Sequence, residues 1–361
     1  MKRSVRLCLG LLLATSLPLA GCSPSDEEAS DSAATSQSPA SREAPDPTET
    51  NLEADDAAPT ETADADSGAY PAVVETKFGP VAIESAPQRV VALGWGDAET
   101  ALELGVQPIG ASDWLGFGGD GVGPWSQGLY TTPPQIIDTL EPSFEEIAAL
   151  NPDLILDVRS SGDEERYRRL AAIAPTVGVP EGGDAYLTSS DEQVRMIAAA
   201  LGRAEAGEAM IAELDAAFLA AAEAHPEWTG KTATAATRTS ESWGADVEGS
   251  DRVTFLERLG FVQSPSIAAL KPNEGALGFA VDISAEQLDL FDADLIVAFP
   301  IWIETTEITE DPQWLAIPAV DAGHTVVIDG DLSNAYSVAT VPGTLYAIDH
   351  IVPLVADALA Q

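Results

Sequence analysis

The sequence predicts an α/β protein of two lobes bridged by a long α-helix, with a ligand cleft between the lobes. Three observations carry this. The run PQRVVALGWGDAETALELGVQPIGAS, Pro87 to Ser112, reads as strand, glycine turn, helix and strand, a β-α-β unit whose two strands must lie parallel. The segments SFEEIAALNPDLIL (143–156) and SAEQLDLFDADLIV (284–297) align without a gap, so one helix–strand unit occurs twice. Between them, Ser189 to His225 carries apolar residues at helical spacing, Val194, Ile197 and Leu201, then Ile211, Leu214, Phe218 and Ala221.

Taken in order, residues 1–21 have a basic start (Lys2, Arg3, Arg6) and an apolar run too short to span a bilayer, the layout of a secretory signal peptide. Leu19-Ala20-Gly21-Cys22 resembles a lipobox, which makes Cys22 the acylated first residue of the mature chain. Cys8 leaves with the leader, so neither a disulfide within the chain nor a cysteine metal site is expected. Residues 22–69 are rich in Ser, Ala, Pro, Thr, Asp and Glu and have little to bury, as in a disordered acidic tether. Two or three acyl chains at about 0.8 kcal/mol per buried methylene hold such a chain on a membrane. The expected location is extracytoplasmic, anchored to the outer face of the cell membrane.

Residues 70–188 form the first lobe. Val73 to Ile83 alternates around a turn and predicts a β-hairpin. Strand 90–93, helix 98–104 and strand 106–111 follow, with Gly94-Trp95-Gly96 at the carboxyl end of the first strand, where open α/β sheets bind ligands. Trp95 is either core or a wall of that cleft, and its flanking glycines favour the wall. Residues 113–130 contain a formal G-x-G-x-x-G, but Pro124 and Gly128 stand where a phosphate-binding helix has to begin. The segment reads instead as a loop carrying Trp114, Phe117 and Trp125, which either form a lip over a ligand or fold inward. After the first repeat copy, Arg159 follows a strand end, facing the cleft or pairing on the surface with Asp163 or Glu164. Helix 163–173 and strand 176–179 complete the lobe.

Residues 189–226 are a short helix, with Ser190 and Gln193 as its capping box, and a bridging helix from about Arg203 to Ala224. Residues 227–361 form the second lobe. Strand 231–237 leads to Arg238 and Trp243, again a cation and an aromatic at a strand end, and helix 251–259 follows. The second repeat copy leads to strand 295–299 and Trp302. Residues 314–329 read as helix, turn and strand, then a loop holding Tyr336 and a closing helix 344–359. Both lobes are therefore expected to be Rossmann-like.

Charge and motifs narrow the function. With 59 acidic against 17 basic residues, nucleic acid is a poor partner. His225, His324 and His350 are not spaced as ligands, and H-E-x-x-H, a P-loop and G-x-S-x-G do not occur, so an enzyme is not expected. What remains is a receptor for a sizeable, flat or anionic small molecule, built from aromatics and arginines at strand ends.

The β-α-β unit, the two repeat copies, helices 190–225 and WLAIPAVDAGHTVVID (314–329) together resemble the helical-backbone, or class III, periplasmic-binding-protein family, and within it the iron-siderophore substrate-binding lipoproteins of ABC importers. The resemblance implies only modest closure of the lobes, a monomer, a ferric siderophore as ligand and ABC permease subunits as partners. It also implies permease docking through one glutamate per lobe, which map onto Glu145 and Glu286. A siderophore brings its iron already coordinated, so neither a cofactor nor protein metal ligands are expected. The candidate ligand-binding residues, chosen by position, are Trp95, Trp114, Arg159, Arg238, Trp243, Trp302 and Tyr336. Alternatives are a haem or cobalamin receptor of the same fold, with Tyr336 or Tyr130 as a haem ligand, and a surface lipoprotein that holds iron chelates without a transporter.

Overall fold

A computed structural model describes residues 69–272 and 278–360. The leader, Cys22 and nearly all of the tether lie outside the described residues. Among the described residues, no helix is long and apolar enough to cross a membrane.

The first lobe opens with the predicted hairpin, β1 (Ala72–Val74) antiparallel to β2 (Val81–Ile83). Then come β3 (Val90–Ala92), α1 (Asp97–Glu103), β4 (Gly110–Ser112), β5 (Gln135–Ile137), α2 (Phe144–Ala149), β6 (Leu154–Leu156), α3 (Glu164–Ala171) and β7 (Thr176–Val177). Strands β3 to β7 make one parallel sheet in the order β5-β4-β3-β6-β7. The unbroken apolar runs of β3 and β6 fit strands covered on both faces. The sheet is built outward from β3 to β5 and then resumes on the other side at β6, so its switch point lies between β3 and β6. There Trp95 N donates to Arg159 O at 2.8 Å.

Two helices follow, α4 (Ser190–Ala200) and α5 (Ala204–Ala224). The cap of α4 is Ser189, whose hydroxyl accepts from Glu192 N at 3.3 Å, one residue before the expected box. Gln193, read as a cap partner, is instead fully buried beneath the first lobe. Met196 and Ile197 of α4, with Leu201 just past its end, enter the first lobe's core, while Leu214 and Phe218 of α5 enter the second lobe's, and Met210 packs against both. The bridge is thus this helix pair. Gly207 sits inside α5 because a Cβ there would lie 2.5 Å from Ala198 Cβ, so glycine is what lets the two helices approach.

The second lobe contains β8 (Thr232–Arg238), β9 (Trp243–Asp246), α6 (Asp251–Arg258), β10 (Val262–Gln263), α7 (Pro265–Ala268), β11 (Ala280–Ile283), β12 (Leu295–Pro300), α8 (Thr306–Thr309), α9 (Pro318–Asp321), β13 (Thr325–Val327), α10 (Gly330–Val338) and α11 (Val341–Leu359). Its sheet runs β11-β9-β8-β12-β13, with β10 on β8. β12 is parallel to β8 and β13, whereas β9 and β11 add antiparallel strands that the sequence reading lacks.

Three expectations change here. Trp243 does not stand on a loop at a strand end: it pairs with Arg238 across the β8–β9 hairpin and is buried, stacked on Trp314 at 5.3 Å. Tyr336 belongs to α10 rather than a loop. The second repeat copy is a 3-10 segment, Ala285–Phe291, where the first is α-helix. Ser143 caps its helix by accepting from Glu146 N, whereas the Ser284 hydroxyl bonds Gln287 Oε1 at 2.9 Å and leaves the backbone uncapped.

Candidate functional site

The parallel strands of both sheets point their carboxyl ends at one cleft of about 1320 Å³. β3 delivers Trp95, β4 delivers Asp113 and Trp114, and β5 delivers Asp138, while on the far side β12 delivers Trp302 and β13 delivers Asp329. Strand ends at a switch point form the crevice where open α/β sheets take ligands.

The first lobe's wall is a stack of three rings. Trp114 lies on Trp95 at 4.0 Å and 4°, and Tyr186 covers the other face of Trp95 at 3.9 Å and 17°. Phe279 meets Trp95 edge-on at 6.5 Å from the second lobe. The indole Nε1 atoms of Trp95 and Trp114 are buried without a hydrogen-bond partner, which in a native site calls for an acceptor. Opposite, Trp302 is 91% exposed and sits at φ 54°. A bulky side chain held in the left-handed region is strained, and such strain gathers at ligand clamps. Leu140 and Ile136 are also exposed on the cleft wall, so apolar surface that water disfavours is concentrated there.

Two buried polar side chains, Arg159 and Glu99, tie the lobes together. Arg159, only 2% exposed, donates from Nε to Thr188 O (2.9 Å) and from Nη1 to Val338 O (3.1 Å), and it pairs with half-buried Asp251 at 3.2 Å. Burial raises the Asp251 carboxyl, and Arg159 opposes the rise. Glu99 accepts from Gly123 N (2.8 Å), from Trp125 Nε1 (3.1 Å) and, across the lobes, from Thr340 Oγ1 (2.7 Å). Burial raises its carboxyl as well, against those donors. Asp97 accepts from Val158 N (2.8 Å) and Gln193 Nε2 (2.6 Å). Gly94 is obligatory beside it, since a Cβ would come within 2.3 Å of Asp97 Oδ2.

Burial pushes the Asp97 carboxyl up to about 6. A carboxyl raised in the folded state stabilises fully below its unfolded value, near pH 4, and that contribution is lost as pH rises through about 6. Asp97→Asn is expected to remove this slope, worth at most about 3 kcal/mol, as read by urea unfolding at pH 4 and pH 7.

The positions chosen from sequence therefore separate. Trp95, Trp114 and Trp302 line the cleft. Arg159 neither offers a free cation to the cleft nor pairs with Asp163 or Glu164; it is an interlobe clasp beside a smaller recess behind the main cleft. Arg238 lies 5.5 Å from the Trp243 ring and is not on the cleft wall. Trp243 is core. Tyr336 is buried with its hydroxyl donating to Arg252 O at 2.8 Å, and burial raises that hydroxyl well above its ordinary range. Tyr130 is buried with Leu102 and Val122 away from the cleft, so neither tyrosine expected for haem faces it. Trp125 and Phe117 fold inward, edge to face at 5.7 Å, leaving Trp114 as the loop's aromatic in the cleft. Glu145 and Glu286 are exposed, one on each lobe.

Sequence reasoning missed Tyr186, Phe279, Arg252 and Glu99. Tyr186 had no helical or strand period around it. Glu99 carried a signal, an acid three residues before Leu102 and so on the same helix face. Among the described residues, no group of three or more His, Cys, Asp or Glu side chains is placed to hold a metal ion.

Comparison with known proteins agrees with this architecture. The family model described as periplasmic binding protein matches residues 90–332. The probable siderophore-binding lipoprotein YfiY of Bacillus subtilis is 26% identical over 260 residues, covering 68% of this chain and 76% of its own. The ferric enterobactin-binding periplasmic protein FepB of Escherichia coli is 28% identical over 264 residues, covering 64% and 79%. The crystal structure of Streptococcus pneumoniae PiaA in complex with ferrichrome superposes with a TM-score of 0.68 at 26% identity, covering 80% of this chain and 98% of that one.

Proposed function

Because the chain belongs to the periplasmic binding protein family, we propose that it is an extracytoplasmic solute-binding lipoprotein that captures a ferric siderophore between its lobes and delivers it to the permease of an ABC importer. The observation that carries this is the cleft itself: about 1320 Å³, walled by stacked indoles and an exposed, strained tryptophan. That space far exceeds a bare ion and is larger than the usual small-molecule site of about 300–1,000 Å³. Its walls supply stacking faces rather than metal ligands, which suits iron that arrives already chelated. Trp95, Trp114 and Trp302 are the ligand-contacting members of the sequence-derived set, joined by Tyr186 and Phe279. The acylated Cys22 holds the receptor to the membrane, and the tether lets it work there as a monomer.

Delivery runs through Glu145 and Glu286, which present one exposed carboxylate from each lobe. Titrating the purified protein with ferric siderophores is expected to quench tryptophan fluorescence saturably, with absorbance-matched controls. The charge reversals Glu145→Arg and Glu286→Arg together are expected to leave that binding curve in place and to abolish siderophore-dependent iron uptake in cells. Uptake at the unaltered level in the double variant removes the importer from the reading. Failure of every siderophore class to bind removes the receptor.

A further inference from the structure

The relatives above are named for ligands of different charge: ferrichrome is a neutral ferric trishydroxamate and ferric enterobactin a trianionic tricatecholate. The side chains of this cleft bear on the choice. Four acidic residues line it, Asp113, Asp138, Glu304 and Asp329, against one basic residue, Arg252. That guanidinium is already neutralised, since Nη1 pairs with fully buried Asp246 at 3.0 Å and the group stacks 4.8 Å from the Phe299 ring. The other strand-end arginines do not compensate: Arg159 is committed to Asp251, and Arg238 is off the wall. The wall charge facing a ligand is therefore negative, within a chain of formal charge −42.

We propose that this cleft selects uncharged or cationic ferric chelates of the trishydroxamate type and rejects polyanionic ferric chelates, through the carboxylates at its rim and the absence of an uncommitted cation among its described lining residues. The physical ground is that like charges brought together at a partly desolvated interface repel, whereas a neutral chelate suffers no such repulsion and still gains the stacking faces. Three of the acids are held in place. Asp113 accepts from Phe117 N at 2.9 Å and Gly118 N at 2.7 Å, Asp138 accepts from Glu141 N at 2.7 Å, and Asp329 accepts from Thr305 Oγ1 at 2.6 Å. They cannot swing away without losing those bonds. Glu304 and Asp138 stand exposed on opposite walls. The sequence reading left open a flat or an anionic ligand, and the charge of the wall disfavours the anionic one.

The inference rests on the receptor reading, and one titration series separates the two. The full-length protein in detergent is titrated with ferrichrome, with monocationic ferrioxamine B, with a ferric carboxylate siderophore and with ferric enterobactin. The expected result is at least about tenfold tighter binding of a trishydroxamate than of either polyanion, with the gap narrowing as salt is raised. In the double variant Glu304→Gln, Asp138→Asn the ratio of affinities for ferrichrome and ferric enterobactin is expected to fall about tenfold. Binding of ferric enterobactin or the carboxylate siderophore as tight as either trishydroxamate overturns the charge selection and leaves the receptor standing. Binding of none of the four overturns both.

Discussion

Arg159→Leu is expected to lower the unfolding free energy by about 3–5 kcal/mol, as for other buried pairs that lose one partner. The change leaves Asp251 without its cation and the carbonyls of Thr188 and Val338 without donors. Urea unfolding of the protein without ligand measures it. The double variant Arg159→Leu, Asp251→Leu is expected to recover a large part of the loss, because removing both charges ends the desolvation penalty that either one suffers alone. If Arg159 were instead a ligand-binding cation, the single variant would keep its stability and lose affinity. A cost below about 1 kcal/mol would therefore sink the clasp. The clasp also restrains opening of the lobes. Arg159 and Glu99 each join the first lobe to the segment around Thr340, so a wide opening has to break buried, charge-assisted bonds.

Trp95→Ala is expected to raise the dissociation constant for the siderophore at least about thirtyfold, the scale of an aromatic hot spot. Trp95 is the middle ring of the stack, so its loss frees both Trp114 and Tyr186 from their common face. The comparison that gives this result meaning is Trp243→Phe. Both residues are tryptophans next to a glycine at the end of a strand, and the sequence placed both in the cleft. The structure buries Trp243 against Trp314 and Phe291. Its replacement is expected to lower Tm by a few degrees, as core trimming does in a chain of this size, and to leave the dissociation constant where it was. Equal losses of affinity in the two variants would show that the cleft extends to β9.

The difference between these two tryptophans marks where sequence reading stops. Whatever depends on neighbours three or four residues apart was legible. The amphipathic period of α5, the cap at Ser143, the parallel β-α-β unit and the delivery of Trp95 and Trp302 to strand ends all follow from local spacing, and each lies as expected. The repeated unit located both strand ends, yet not the geometry of its second copy. There one side-chain bond from Ser284 to Gln287 diverted the cap, a choice between two local partners that the spacing alone leaves open.

The sequence by itself determined the α/β class, the two lobes, a long helix between them and a cleft lined by aromatics, because periodicity and turn chemistry act within a few residues. Only the tertiary structure decided which polar side chains face a ligand. Antiparallel pairing turned Trp243 into core, α10 carried Tyr336 beneath α6, and Arg159 met Asp251 and Val338 from the other lobe. A buried charge goes wherever the fold supplies its partner, and that partner lies far away in the sequence.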